Sequence, residues 1–382
     1  MQAVHNYLPR QYEQTNNLAV NHNYLPEQFA DVDAILAKVR EVVVRGDFTL
    51  GRAVDQLEEK VARLCHTRHA VGVGSGTDAL FLTLKALGVG PGDEVITTPF
   101  TFYATIGAIV TAGAKPVFAD ARFDCNIDPD RIQEKVTART KAILPVHWSG
   151  LPCDMDAIGA IAQRHGLAVV EDACHAIQAR YQGRPAGSLG TAGCFSFHPL
   201  KNLNVWGDGG IVTTNDDKLA EQLRLLRNHG LASRNECRVF AYNSRLDTVQ
   251  AVVADHLLDK LDHITQARIA NARRYDELLS GIAQVLVPKR PGDIQQVYHL
   301  YVVRCEQRDE LLRHLVSREI DAKVHYPVPM HLQPAAAFLG HQAGDFPVAE
   351  ALSGTVLSLP VHEFVTHAQQ QHVARAIREF YA

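Results

Sequence analysis

The stretch HAVGVGSGTDALFLTLKAL (69–87) decides the fold class. It begins with a short valine-rich run that is typical of a strand, continues through the turn GSG (74–76), and ends in a leucine-rich segment that fits a helix. A strand that passes through a tight turn into a helix is the repeating unit of a parallel sheet covered by helices. We therefore expect an α/β protein.

The same alternation continues along the chain. Helical patterns such as DMDAIGAIAQRHG (154–166) stand between several short runs rich in Val, Ile and Phe. These strand-like runs are GDEVITTPF (92–100), KPVFAD (115–120), KAILPVHW (141–148), LAVVEDA (167–173), GCFSF (193–197) and GGIVTT (209–214). The pattern predicts a mostly parallel sheet. Because GGIVTT follows GCFSF closely, we expect one antiparallel strand.

The length of 382 residues exceeds that of a usual single domain. From about residue 250 the alternation gives way to a long amphipathic helical region, a strand-like run and further helices. We predict a large domain over 21–250, and a connecting helix with a smaller α+β domain over 251–382. We treat residues 1–20 as an N-terminal extension.

Within the N-terminal region, HNYLPRQY (5–12) is nearly repeated as HNYLPEQF (22–29). Two copies do not make a repeat protein. A local duplication and a role at a subunit contact both remain open at this point.

Composition narrows the function classes. The hydrophobic content of 46% and the charged content of 21% are ordinary for a globular protein, and the formal net charge is −4. We therefore expect neither nucleic acid nor a membrane as a partner. The seven scattered cysteines, the N-terminus without signal-peptide features and the lack of a long apolar run predict a cytoplasmic protein. The 19 histidines show no metal-binding spacing, so we predict no metal.

Two loops that follow predicted strands carry groups that could bind a ligand. One is suited to a phosphate, and the other to a protonated nitrogen. In GSGTDAL (74–80), Gly76 and Thr77 open a helix, whose free backbone N–H groups favour a phosphate, although a plain tight turn has the same pattern. Asp172 lies just past a strand, where it could hold a protonated ring nitrogen or cap the next helix. His175 lies three residues on, where it could contact a ring substituent or be a structural histidine.

The third loop is FSFHPLKNLNVWGDGG (195–210), which contains one lysine, Lys201. A single lysine is usually a solvated surface charge. A lysine removed from water loses its proton more readily and becomes a nucleophile toward a carbonyl group. Ser196 offers a hydroxyl for a phosphate. A phosphate turn, an acid after a strand and a lysine are together the groups that a pyridoxal phosphate site needs.

These segments, in this order, make the chain similar to the DegT/StrS-type sugar aminotransferases, a branch of the fold type I, aspartate-aminotransferase-like enzymes. The similarity runs from about residue 21 to the C-terminus. It includes RGDFTLGRAVDQLEE (45–59), TFYAT (101–105) directly after GDEVITTPF, VVEDACHA (169–176), LRNHG (226–230), AYNSRLDTVQA (241–251) and VHYPVPMHLQ (324–333), besides the segments already quoted.

The resemblance implies a role for each matching residue. Lys201 would hold the cofactor covalently and act as acid and base, Asp172 would pair with the ring nitrogen, and His175 would contact the ring hydroxyl. Phe102 would stack on the ring, unless it is a core residue. The phosphate would be held by Gly76, Thr77, Ser196 and, from the neighbouring subunit, Asn243. Many relatives carry glutamine at the position of His175. Other members of the family have histidine in place of the lysine and act as dehydratases.

The resemblance therefore implies a pyridoxal-phosphate aminotransferase. We expect L-glutamate as the amino donor, a keto-sugar linked to a nucleotide as the acceptor, and a homodimer with shared sites. Three alternatives remain. They are a cyclitol aminotransferase or aminobenzoate-forming synthase of the same family, a regulatory or sensory protein that kept the fold, and a protein that binds phosphorylated ligands without the cofactor.

Overall fold

The computed structural model describes residues 18–289 and 292–382. Its α-helices are α1 Leu25–Gln28, α2 Val32–Arg45, α3 Arg52–Leu64, α4 Gly76–Ala86, α5 Tyr103–Thr111, α6 Pro129–Lys135, α7 Met155–His165, α8 Asp217–Leu226, α9 Thr248–Leu258, α10 Leu261–Leu279, α11 Arg308–Ser317, α12 Pro347–Thr355 and α13 His367–Tyr381. Short 3₁₀ turns occupy Trp148–Gly150, Met330–Leu332 and Pro334–Leu339.

The strands are short, as expected for an α/β protein. They are β1 His69–Val73, β2 Glu94–Thr97, β3 Lys115–Phe118, β4 Thr140–Ile143, β5 Ala168–Asp172, β6 Arg180–Tyr181, β7 Arg184–Pro185, β8 Ala192–Ser196, β9 Gly210–Thr214, β10 Leu231–Ser233, β11 Glu236–Cys237, β12 Val285–Leu286, β13 Ile294–Gln295, β14 Tyr301–Cys305 and β15 Val356–Leu359.

A seven-stranded sheet in the order β1-β9-β8-β5-β4-β2-β3 forms the centre of the molecule. Every neighbouring pair is parallel except the two that β9 makes, because β9 runs antiparallel to both β1 and β8. The expected α/β fold with a mostly parallel sheet is confirmed. The antiparallel strand is the predicted GGIVTT run. It reverses direction because no helix connects β8 to β9.

Helices cover both faces of this sheet. On one face α4 is buried along most of its length, with Leu80, Leu82 and Leu84 at most 1% exposed, and it packs against α5 and α8. On the other face α3 packs against β1 and α9 through Val54, Leu57 and other apolar residues. The two apolar layers fix the loops at the carboxyl ends of the parallel strands.

A second, antiparallel sheet has the order β12-β14-β15. It shares an apolar core with α10, α11 and α13. Val20 joins this unit, because it pairs with Ile320 and is fully buried in the same core. The boundaries at 20 and 250 stay predictions, and residues 1–17 of the predicted extension lie outside the described residues.

Within residues 18–289 and 292–382, no helix has both the length and the mean hydropathy that a bilayer crossing requires.

Candidate active site

The predicted site residues follow strands that end at the same edge of the central sheet. Asp172 is the last residue of β5 and Ser196 is the last residue of β8, which pairs with β5 in parallel. The turn to Gly76 follows β1, and Phe102 lies in the connection after β2. Since β1 runs parallel to β8 across β9, all four connections leave the sheet at its carboxyl edge.

Lys201 lies in the β8–β9 connection and is partly buried. Its amide donates to the carbonyl of His198 at 2.8 Å, and its carbonyl accepts from Asn204 Nδ2 at 2.9 Å. Burial lowers the pKa of Lys201, while the nearby Cys174 and Asp172 act in the opposite direction. The amine therefore releases its proton more readily than an exposed lysine does, as nucleophilic attack on a carbonyl requires.

The second copy of the repeated segment holds the lysine loop in place. The Tyr24 hydroxyl donates to the Lys201 carbonyl at 3.4 Å, and Asn204 Nδ2 also donates to Gln28 Oε1 at 2.7 Å. Gln28 Nε2 in turn donates to Glu363 Oε1 at 3.0 Å. Residues 22–29 thus connect the lysine loop to the C-terminal unit, while the first copy lies outside the described residues.

Asp172 is 5% exposed and has a fixed partner on each carboxylate oxygen. The backbone N–H of Cys174 donates to Oδ1 at 3.2 Å, and the Thr105 hydroxyl donates to Oδ2 at 2.8 Å. An ionised carboxylate oxygen accepts about two hydrogen bonds, so each oxygen keeps the capacity for another donor. A protonated ring nitrogen is such a donor.

Next to Asp172 in the sequence, Glu171 braces the same strand end. It is fully buried, and its two oxygens accept from the amides of Gly187, Leu189 and Gly190 at 2.7–2.8 Å. His147 Nε2 lies 2.9 Å from Glu171 Oε2, while His147 Nδ1 accepts from the Cys153 amide. The proton of a neutral His147 is therefore on Nε2, where it completes the shell around the carboxylate.

The turn before α4 forms a compact cradle. A Cβ atom added to Gly76 would lie 2.5 Å from Ser196 Cβ and 3.1 Å from Cys174 Sγ, and one added to Gly210 would lie 2.4 Å from the Ser75 carbonyl oxygen. Ser75 caps α4 by accepting from the Asp78 amide at 3.0 Å. The first amides of a helix have no partner inside the helix, and they attract anions. Gly76, Thr77 and Ser196 thus fit a phosphate group.

His175 is buried and belongs to a group of imidazoles beside Lys201. Its ring lies 4.3 Å from that of His299, and its Nδ1 atom has no hydrogen-bond partner among the described residues. Burial lowers the pKa of His175, and electrostatic interactions with Lys201 and His325 lower it further. A neutral His175 can contact a ring hydroxyl, which is the role predicted for it.

Phe102 is not a core residue, since it is 47% exposed. Its ring lies 5.2 Å from that of Tyr103 and 5.8 Å from that of Tyr326. Burial raises the pKa of Tyr326, and the charge of Asp172 adds to this effect. An open aromatic face therefore lies near the carboxylate, and it can stack on a planar ring.

Asn243 is exposed and follows the exposed segment 232–240. Its neighbour Ser244 accepts from the Gly74 amide through its carbonyl at 3.1 Å, so the segment runs beside the phosphate cradle. Phe240, three residues before Asn243, is 98% exposed. Val239 and Tyr242 of the same segment are 42% and 39% exposed, and several exposed apolar side chains together are more typical of a protein–protein contact than one alone.

Sequence reasoning missed several residues at this edge. Thr105 contacts Asp172, Tyr24 contacts the lysine loop, and His299, His325 and Tyr326 approach from the C-terminal unit. The segment VHYPVPMHLQ carried a signal for the last two, because it belongs to the quoted resemblance. Thr105 belongs to TFYAT (101–105), another segment of the resemblance, but no role was predicted for it, because its partner is 67 positions away in the chain.

The comparisons with known proteins agree with this geometry. Residues 30–378 match the model of the DegT/DnrJ/EryC1/StrS aminotransferase family. The chain is 46% identical to a pleiotropic regulatory protein of Geobacillus stearothermophilus, over 91% of this chain and 94% of that one. It is 44% identical to the dTDP-3-amino-3,4,6-trideoxy-alpha-D-glucose transaminase of Streptomyces venezuelae, over 92% of each chain.

Solved structures extend the comparison to the fold. The structure of S. venezuelae DesV in complex with a ketimine intermediate has a TM-score of 0.92 at 42% identity, covering 95% of this chain and 98% of that one. Other solved neighbours carry the cofactor in its pyridoxal and pyridoxamine phosphate forms. The chain belongs to the DegT/DnrJ/EryC1/StrS aminotransferase family and is a pyridoxal-phosphate-dependent transaminase.

Proposed function

We propose that this chain is a homodimeric aminotransferase that moves an amino group from L-glutamate to the keto group of a nucleotide-linked sugar. The observation that carries the proposal is the arrangement of Lys201, Asp172 and the Gly76–Ser196 cradle at one edge of the sheet. The amine, the acid and the anion-binding turn are the three groups that pyridoxal phosphate requires. The names of the relatives support the sugar substrate, because two of them act on dTDP- and UDP-linked sugars.

Each residue has a role that follows from its surroundings. Lys201 would hold the cofactor through its Nζ atom and would carry a proton on the same atom when it is not attached. Asp172 would bind the ring nitrogen, His175 would bind the ring hydroxyl, and Phe102 would cover the ring. Gly76, Thr77 and Ser196 would hold the phosphate.

When bound, pyridoxal phosphate supplies a carbonyl group that takes up the amine and a ring that accepts negative charge from the adjacent carbon. The chain supplies position and charge. Partly buried Lys201 provides a base of lowered pKa, and buried Asp172 provides a fixed counter-charge. Because these groups are fixed, the amino donor and the keto-sugar are positioned one after the other beside the same lysine.

We propose that Asn243 reaches the phosphate of the neighbouring subunit. Its exposed position beside the exposed Phe240 supports this role, because both residues are available to a second copy of the chain. Each site then contains residues of both subunits.

The regulatory relative from Geobacillus stearothermophilus favours a second candidate, a regulatory protein with the same fold. The two candidates differ in turnover. A regulator needs no reactive lysine, whereas an aminotransferase depends on Lys201.

The first experiment is the visible absorption spectrum of the purified protein with pyridoxal phosphate, before and after addition of L-glutamate. We expect a bound-cofactor band that L-glutamate converts to the pyridoxamine form. Amino-sugar formation from nucleotide-linked keto-sugars is then measured for wild type, Lys201→Ala and Lys218→Ala. Lys201→Ala should lose activity by a factor of about 10³ or more, since it removes both the attachment point and the base.

Lys218 is an exposed lysine in α8 and is the matched control, which should keep wild-type activity. A protein that binds the cofactor but forms no amino product from any donor and ketone would favour the regulatory candidate. Wild-type turnover by Lys201→Ala would refute the mechanism.

A further inference from the structure

Thr105 contacts the Asp172 carboxylate through its hydroxyl group, and a second threonine fixes the orientation of that hydroxyl. The Thr105 hydroxyl lies 2.8 Å from Asp172 Oδ2 and also 2.8 Å from the Thr101 hydroxyl. An ionised carboxylate only accepts hydrogen bonds, so Thr105 donates to Asp172 and Thr101 must donate to Thr105. Both threonines are 1% exposed, so water does not replace these bonds.

We propose that Thr105, held by Thr101, is a positioning residue that orients the Asp172 carboxylate toward the ring nitrogen of the cofactor. This inference rests on the proposed function, in which Asp172 binds that nitrogen. It assigns a task to two residues that do not touch the cofactor themselves. Thr105 acts through Asp172, and Thr101 acts through Thr105.

The first turn of α5 is arranged for this contact. Its N-cap is Phe102, which makes no side-chain capping bond, and Thr105 is the third residue of the helix. Helical threonines often donate back to the carbonyl four residues earlier, as Thr83 does to Ala79 and Thr355 does to Ala351, each at 2.7 Å. The Thr105 hydroxyl instead donates to Asp172, which is outside its own helix and at the end of β5.

The two hydrogen-bond donors to Asp172 belong to different elements of the fold. The Cys174 amide belongs to the connection after β5, and the Thr105 hydroxyl belongs to α5. With one donor on each oxygen, rotation of the carboxylate about its Cβ–Cγ bond would break both bonds. The first turn of α5 also brings the positive end of a helix dipole to the carboxylate. Removal of the Thr105 donor leaves Oδ2 without its protein partner and frees the rotation.

The test compares Thr105→Val, which keeps the shape and removes the hydroxyl, with Thr105→Ser, which keeps the hydroxyl. The dissociation constant of pyridoxal phosphate is measured on the cofactor-free protein by absorbance titration. The pH at which the bound-cofactor band changes is measured on the reconstituted protein. The melting temperature of the cofactor-free protein reports stability alone.

We expect Thr105→Val to weaken cofactor binding about tenfold and to shift the pH of the spectral change, because a hydrogen bond to a charged group is lost. Thr105→Ser should remain within about twofold of wild type. Thr101→Val should fall between them, since Thr105 can still donate. Thr83→Val, which removes another buried helical threonine hydroxyl, should lower stability without altering the pH of the spectral change.

The inference is wrong if Thr105→Val binds the cofactor and titrates as wild type does, or if Thr105→Ser is as impaired as Thr105→Val. If Thr105→Val does not fold, the comparison of Thr105→Ser and Thr101→Val with wild type decides by the same two readouts. A wild-type protein that binds no pyridoxal phosphate would instead refute the proposed function, so the two failures are distinguishable.

Discussion

Gly76 is a residue at which the cradle has little room. An added Cβ would approach Ser196 Cβ to 2.5 Å and Ser196 Oγ to 3.0 Å, and both atoms belong to a strand end that cannot move freely. Ser196 Oγ is itself fixed, since it accepts from the His198 amide at 3.2 Å. The backbone of Gly76 has no positive φ angle, so its conformation does not require glycine. Glycine is required because a side chain would meet Ser196.

We predict that Gly76→Ala weakens pyridoxal phosphate binding by a factor of about 10 or more and destabilises the fold by about 1–3 kcal/mol, as overpacking does. Gly159→Ala is the matched control, because Gly159 lies within α7 and a Cβ there meets no atom within 4 Å. The control should raise stability slightly through helix propensity. Cofactor titration and thermal denaturation check both. Wild-type affinity in Gly76→Ala would contradict the prediction.

At the residue scale, sequence reasoning could find those residues that a local pattern marks. Lys201 stands before a glycine turn, and Asp172 and Ser196 stand at the ends of apolar runs, so the rule for strand ends predicted one edge for all three. Thr105 and Tyr24 make contacts that depend on the three-dimensional path of the chain. Tyr24 and Lys201 are 177 positions apart, and no local pattern predicts their contact.

At the element scale, the connections between elements position the chemistry more than the elements themselves do. The predicted alternation of strands and helices located the sheet, and short chain between GCFSF and GGIVTT predicted the antiparallel strand. The long helical region after residue 248 is two helices, α9 and α10, which meet at Asp259–Lys260. Continuous amphipathic patterning does not reveal such a break, because both helices bury apolar faces.

Four histidines, of which His175 is buried and the other three are partly buried, come from four different segments and meet beside the lysine loop. They are His22 of the N-terminal segment, His175 after β5, His299 before β14 and His325 after α11. The rings of His22 and His325 lie 6.0 Å apart. Burial is the main cause of a lowered pKa at all four. At His325, burial together with the positive charges of Lys201 and Lys323 lowers the pKa to about 4.

The pH dependence of stability follows from these shifts. Unfolded histidine takes up a proton near pH 6.5, while folded His325 does so near pH 4. Between these values the unfolded state binds more protons, so stability falls as the pH is lowered. His325→Asn removes this proton uptake while keeping an acceptor for Ser358, which lies 2.9 Å from His325 Nδ1. We predict that the melting-temperature difference between wild type and His325→Asn narrows by roughly 2–4 °C from pH 7.5 to pH 4.5.

Thermal denaturation at both pH values measures this difference. His263→Asn, at an exposed histidine in α10, should instead follow wild type in parallel. A constant difference between wild type and His325→Asn would show that His325 titrates alike in the folded and unfolded states.

At the scale of the whole molecule, the surface around Asn243 is one that a single chain leaves exposed. The hairpin of β10 and β11 is largely exposed, and Phe240 and Val239 follow it with 98% and 42% of their surface accessible. Burying these side chains against a second copy would remove apolar surface from water. The same contact would bring Asn243 toward the partner's cradle, as the proposed shared site requires.

Mixing two inactive or impaired variants tests whether the site is shared. In a dimer of one Lys201→Ala chain and one Asn243→Ala chain, a shared arrangement combines the intact Lys201 of one chain with the intact Asn243 of the other. Unfolding and refolding an equimolar mixture gives heterodimers as about half of all dimers, each with one intact site, so we predict recovery of about a quarter of wild-type activity.

Asn235→Ala, at another exposed asparagine of the hairpin, should be active by itself and serves as the control for substitution in this segment. The contrary result has an equally clear structural meaning. Since Ser244 bonds to Gly74 of its own chain, Asn243 could instead serve the cradle beside it. In that case every heterodimer site would lack either Lys201 or Asn243, and the mixture would be no more active than the average of its two components.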